Sequence, residues 1–206
     1  LLYGGNAVTL SRNLSIPIKE GENIYNSYFG AFPGIKKYFK RVSKKALEDG
    51  YILHNNILGR KTRISFFDEF KEKAKTFDDD YWEIYREEKK NGSEVYKNVL
   101  KREVREHFKE KGQIERMSYN YPIQGTSADI TKVACIKLFK WLENEDKLFN
   151  VWLPSVVHDE IVCECEEKDT EEIKNKLQEA MEEAGKIYCK RVKLTATPVV
   201  TKVWKH

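Results

Sequence analysis

No apolar run in the chain approaches the ~20 residues that a membrane span needs. Nothing near its start has the pattern of a secretory signal. Both absences point to a cytoplasmic protein with no membrane partner. Cysteine is scarce: Cys135, Cys163, Cys165 and Cys189 are the only four, and they lack zinc-type spacing. Without a secretory signal they read as reduced, packed thiols. A large charge of one sign is missing too, since the net charge is only +4 although 34% of the residues are charged. What remains is a heavily charged surface around one sizeable core or two small ones.

The mild net charge hides a local excess. Lys36, Lys37, Lys40, Arg41, Lys44, Lys45, Arg60, Lys61 and Arg63 crowd one region, opposed there only by Glu48 and Asp49. Clustered cations are the electrostatic footprint of a polyanion, though a solvated helix face has the same composition. Further on, Val156-Val157-His158-Asp159-Glu160-Ile161-Val162-Cys163 carries β-branched residues up to three polar ones and then resumes. That spacing predicts a strand, a tight turn and a returning strand, with His158, Asp159 and Glu160 at the tip. A carboxylate held on such a tip can bind a hard divalent cation; the same residues also make an ordinary polar turn.

A third segment gives these features a context: Arg116-Met117-Ser118-Tyr119-Asn120-Tyr121-Pro122-Ile123-Gln124-Gly125-Thr126-Ser127-Ala128-Asp129. It predicts a long helix over 113–144, bent near Pro122, with Arg116, Asn120 and Gln124 at i, i+4 and i+8 on one stripe. This segment, the His-Asp-Glu hairpin downstream and the opening Leu1-Leu2-Tyr3-Gly4 occur in the order found in family A DNA polymerases, the DNA polymerase I type, which the chain resembles. Residues 66–111 depart from the family pattern as a highly charged insertion.

The resemblance implies an α+β fold: a right-hand polymerase palm, whose antiparallel sheet carries the catalytic hairpin, plus part of the helical fingers. It divides the chain into a fingers portion with a basic DNA-facing turn (1–65), the insertion (66–111) and a palm segment (112–206). Tyr3 would end the fingers helix beside the templating base. Arg60, Lys61 and Arg63 would position DNA through phosphates. Arg116, Asn120 and Gln124 would line the minor groove, whose N3 and O2 acceptors report pair shape rather than sequence. His158 would lie near the primer terminus. Asp159 would be a metal ligand and Glu160 a supporting acid.

The implied chemistry is transfer of dNMP from a dNTP to a primer 3′-hydroxyl by two Mg²⁺ ions. The implied partners are primer–template DNA, dNTP and an N-terminal polymerase fragment. No Met opens the chain, and neither the family's other palm Asp nor its triphosphate-holding Lys and Arg is present, so an upstream piece is expected to supply them. The compact motifs and charged insertion lean toward a phage source. Two other readings share these residues: a non-catalytic DNA-binding module derived from a polymerase, and a relative of single-subunit RNA polymerases.

Local signals set further expectations. Helices are predicted over about 7–15 and from Pro17 to Asp49, interrupted at Pro33-Gly34. A hairpin is predicted from Tyr51–His54 and Asn56–Leu58, with His54 a surface residue. Two amphipathic helices should flank Asn91-Gly92, with the Asp78–Asp80 run as an N-cap cluster. Asp169 should cap the next helix in a capping box with Glu172, and Arg191–Val200 alternates as a last strand.

Overall fold

The computed structural model describes residues 4–203; Tyr3 and the Trp204-Lys205-His206 ending lie outside the described residues. The chain divides by its packing into two compact units, Leu1–Ile123 and Gln124–His206.

The first unit is mostly helical, and its helices start and stop where short-range chemistry requires. Asn6 caps α1 (Ala7–Leu14), its side-chain oxygen accepting the Thr9 N–H at 2.9 Å. Helix α2 (Ile18–Ala31) follows Pro17 and lies tight against α1, because a Cβ on Gly21 would stand 2.0 Å from Ser11 Oγ. Pro33 opens α3 (Pro33–Asp49), its fixed φ suited to a first helical position. Gly50 stops it with φ +73°, where a side chain would be strained.

Strands β1 (Tyr51–Leu53) and β2 (Lys61–Arg63) then pair antiparallel, Ile52 opposite Thr62. The predicted partner strand at 56–58 is corrected here. The Asn55 side chain accepts the N–H groups of Ile57 and Leu58, at 3.1 and 3.0 Å, which makes that apolar pair a loop. His54 is likewise corrected: it is buried, with Nε2 2.6 Å from Thr62 Oγ1 on the partner strand.

Within 66–111, the segment expected above as an insertion, Asp78 caps α5 (Asp79–Asn91) by accepting the Tyr81 N–H at 2.9 Å, and Gly92 ends the helix in the left-handed region. The preceding α4 (Phe67–Lys75) sends Phe70 into the core of the unit with Ala46, Ile52, Ile64 and Ile114. After a π-helical turn, Tyr96–Leu100, the chain enters α6 (Lys101–Asn144). This helix starts twelve residues before the predicted Gln113, since the loose apolar spacing of the insertion runs into it without a stop signal. Pro122 lies inside it and offers no N–H to the Ser118 carbonyl.

The second unit packs the C-terminal part of α6 and helix α7 (Thr170–Tyr188) on one ribbon, β3 (Val151–Val157) against β4 (Glu160–Cys165). The ribbon is bulged: between the Trp152–Glu164 and Ser155–Val162 pairs, Leu153 and Pro154 face Cys163 alone. Pro154 has no N–H for the ladder, which is the reason for the bulge at that point. Leu138, Leu142, Val151, Ile173 and Ala180 form one core cluster, and Ala134, Ile161 and Ala184 a second.

The capping box at Asp169 is corrected. A 3₁₀ turn, Glu167–Asp169, leads straight into α7, so Asp169 has near-helical φ/ψ of −95° and −6° and makes no side-chain cap bond. The expected strand over 191–200 is corrected too. A strand needs a hydrogen-bonded neighbour, and this segment pairs with none among the described residues. All four cysteines are free thiols, and burial, followed by the neighbouring Cys135 and Cys165, pushes Cys163 up to about 12.

Two tests follow from this packing. A Cβ at Gly50 would meet the Phe67 ring at 2.5 Å in a positive-φ position. Gly50→Ala is therefore expected to destabilise the chain by about 1–3 kcal/mol in urea melts.

His107 stacks on Phe70 at 5.1 Å and lies 4.6 Å from Phe77, and its pKa is lowered by burial first and then by Lys111, with Glu110 opposing. The folded state thus binds a proton less readily than the unfolded chain, whose imidazole titrates near ~6.5. The stability this contributes is complete above that value and is lost as pH falls toward the lowered folded pKa. Thermal melts should show Tm falling in that window, and His107→Phe should flatten the fall.

Candidate nucleotidyl-transfer and DNA-contact residues

The hairpin tip is built by β-branched strands. Val156 pairs with Ile161 and Val157 with Glu160, so His158 and Asp159 are the two residues of the turn. His158 has φ +54°. Two-residue hairpin turns need positive φ because only that twist matches the strands, and the position normally falls to Gly or Asn. A histidine there is strained and is held by its surroundings. One such hold is visible: the buried Thr131 on α6 directs its hydroxyl to the His158 carbonyl at 3.4 Å, and to the Ser127 carbonyl of its own helix at 3.2 Å.

His158 and Asp159 are exposed, and Glu160 is half-buried. The turn therefore lifts one carboxylate clear of the sheet and keeps the next partly covered. No group of three or more His, Cys, Asp or Glu that could hold a metal occurs among the described residues. Asp159 fits a hard cation by donor type, as a carboxylate oxygen ligand, but the set here is incomplete on its own.

The other candidates lie on α6 and β2. Arg116 and Asn120 are one turn apart on α6, Arg116 exposed and Asn120 half-buried, with the Asn120 amide donating back to the Arg116 carbonyl at 3.0 Å. Gln124, exposed, follows on the same helix as the first residue of the second unit. Arg116 is seated from below: a Cβ on Gly4, where φ is +79°, would be 2.9 Å from its Cγ and 3.0 Å from the Tyr119 ring. Tyr119 in turn stacks on Phe39 of α3, centroids 4.0 Å apart. This joins the helix bearing Arg116 to the one bearing Lys36, Lys37, Lys40, Arg41, Lys44 and Lys45. Lys61 and Arg63 are exposed on β2 and Arg60 half-buried just before it, so these cations stand on a strand and not on a turn as expected. Lys61 Nζ lies 4.1 Å from the centre of the Tyr51 ring on the paired strand, which fixes its stem while its charge stays in solvent.

Sequence reasoning missed two buried residues of α6 in the second unit. Thr131 carries no motif signal. Asp129 ends the motif and is among the most completely buried side chains of the chain, at 2% exposure. Its burial could have been suspected from its place on the apolar face with Ile130, Val133 and Ala134.

With this geometry in place, comparison with known proteins shows which family the chain belongs to. The whole chain, residues 1–206, matches the model of DNA polymerase family A, and the chain belongs to that family. It is similar to DNA polymerase I of Aquifex aeolicus, with 29% identity over 210 aligned positions covering 99% of this chain and 28% of that protein. It is also similar to the thermostable DNA polymerase I of Thermus filiformis, with 31% identity covering 89% of this chain and 17% of that protein. Among solved structures it is similar to the POL domain of Pol1 from M. smegmatis in complex with DNA primer-template and dNTP. That match has a TM-score of 0.63 and 26% identity, covering 89% of this chain and 25% of that one. The chain thus spans well under a third of the length of these relatives.

Proposed function

We propose that this chain is the C-terminal fingers and palm portion of a DNA-directed DNA polymerase, transferring dNMP from a dNTP to a primer 3′-hydroxyl. The observation that carries the reading is Asp159, exposed on a two-residue turn between two paired strands, in a chain that belongs to the family along its whole length. A carboxylate held at the end of a stiff ribbon suits a metal-assisted in-line displacement, because it can hold a cation in place before charge develops on the phosphoryl oxygens. Two Mg²⁺ ions, when bound, would lower the pKa of the attacking hydroxyl and neutralise the leaving pyrophosphate. Asp159 would supply one ligand, and a carboxylate from an upstream polymerase segment another. Glu160, half-buried beside it, would orient the tip or a bound water, and His158 would face the primer terminus.

Arg116, Asn120 and Gln124 are read as minor-groove and backbone contacts. Arg60, Lys61 and Arg63 are read as phosphate contacts that set position without reading sequence. Tyr3 keeps its proposed place beside the templating base, on sequence grounds alone. The similarity to a polymerase complexed with primer-template and dNTP supports DNA and dNTP as partners. Ile136, Phe139, Trp152 and Val156 of the second unit are all about half or more exposed. Apolar surface of that kind favours a covering partner, which supports the upstream segment.

Primer extension with Mg²⁺ and dNTPs tests the reading, using the chain alone and mixed with an N-terminal polymerase fragment. Extension is expected only in the mixture, and Asp159→Ala should reduce it by about 10²–10³-fold or more. Duplex binding retained without extension in any mixture would instead make the chain a non-catalytic binding module. Incorporation of NTP in preference to dNTP would make it an RNA polymerase relative.

Arg116→Ala is expected to weaken duplex binding nearly uniformly across sequences. It should also reduce the slope of log K against log salt by about 1, measured by fluorescence anisotropy at several salt concentrations.

A further inference from the structure

The strained turn at His158 has to be over-determined by its neighbours, and the strands alone do not hold it. Ladder bonds fix Val157 and Glu160 on either side, but the φ of +54° falls between them, on a residue with a Cβ. Thr131 is a side chain that reaches this point from outside the ribbon. It is buried, at 6% exposure, and its Oγ1 contacts the His158 carbonyl at 3.4 Å across 27 residues of chain.

The anchoring is rigid because the same face of α6 carries Ala134 and Leu138, one and two turns on, which are 0% and 1% exposed in the cores of the unit. A β-branched side chain in a helix has one or two allowed rotamers. The hydroxyl is therefore delivered to one place, between the Ser127 and His158 carbonyls, where burial keeps water from competing. One proton serves two acceptors. The tether is accordingly weak in energy but specific in direction, and it bears on the peptide that joins His158 to Asp159.

We propose that Thr131 is a positioning residue for the reaction: its hydroxyl, held by α6, fixes the His158–Asp159 peptide in its left-handed turn and so sets the direction of the Asp159 carboxylate. This rests on the reading of Asp159 as a metal ligand. Thr131 touches neither substrate nor metal and acts through the backbone of the tip. Losing the hydroxyl leaves the core volume intact but frees the turn to relax toward the extended backbone that histidine prefers.

Two measurements test it. The first is NMR of the full chain, in which the His158 Cα and Cβ shifts report its left-handed backbone. Thr131→Val, which keeps the shape and removes the hydroxyl, should move those shifts toward extended values and broaden the tip resonances, with Tm unchanged. Thr131→Ser should restore them. The second is primer extension by the assembled polymerase. Thr131→Val should lower kcat about three- to tenfold, as expected for one hydrogen bond, raise the Mg²⁺ concentration needed for half-maximal rate, and leave the KM for dNTP within about twofold. Thr131→Ser should return both values. Wild-type shifts and wild-type kcat in Thr131→Val would overturn the tether while leaving Asp159 as the ligand. Full extension by Asp159→Ala would overturn the reading of Asp159 beneath it, and the NMR result would still decide whether Thr131 holds the turn.

Discussion

The second unit depends on the approach of two alanines to one isoleucine. Ala134 on α6 and Ala184 on α7 are both fully buried, and between them they close over Ile161, the second residue of β4. Larger side chains at either alanine would push a helix away from the ribbon. With methyl groups there, both helices reach the strand that carries Glu160 and leads out of the turn. Neighbouring positions repeat the theme: a Cβ on Gly185 would stand 2.7 Å from the Leu194 Cβ, so the segment after α7 lies close against that helix. A packed interior of this kind has few alternative arrangements. The stiffness of the tip is thus inherited from the close fit at its base.

How much of this was legible in the sequence depends on the range of the forces involved. The caps at Asp78 and Gly92 were readable because each is a contest among three or four neighbouring residues. The Val156–Cys163 hairpin was readable because β-branched residues on both sides of a polar pair leave few other solutions. The partner of β1 was misread because Ile57 and Leu58 have strand-like composition while the Asn55 side chain takes up their amides. Asp169 failed as a cap because the 3₁₀ turn before it leaves no extended residue for a capping geometry. Alternation over 191–200 was real as a pattern, but a ladder is a property of two segments. The roles proposed for Arg116, Asn120, Gln124 and Asp159 rest on motif order, which spacing alone does not carry. Thr131 was invisible because its significance lies in a contact 27 residues away.

Perturbed ionisation is often a pointer to function, and in this chain it points elsewhere. Cys163 and Tyr81 are both pushed up to about 12, with burial the leading cause in each. Cys163 belongs to the packing under the bulge, opposite Leu153 and Pro154. Tyr81 caps an aromatic group in the insertion and donates to Glu103 at 3.1 Å. The perturbation records desolvation of packed residues. The proposed metal-assisted reaction asks for no unusual acid, only for an oxygen donor held in place.

That distinction bears on why the tip carries strain. A carboxylate on a flexible loop would bind a cation only after losing the entropy of its own disorder, and each fixed backbone residue costs about 1–2 kcal/mol. Here the ladder pairs fix the strands on both sides of the turn, and the proposed Thr131 tether bears on the peptide between them. A glycine at position 158 would remove the local strain, yet it would return conformational freedom to the residue that precedes Asp159. Histidine keeps the peptide in a narrower range once the fold has forced it there. On this reading the direction of the exposed turn is set by what packs against it, Thr131 above all.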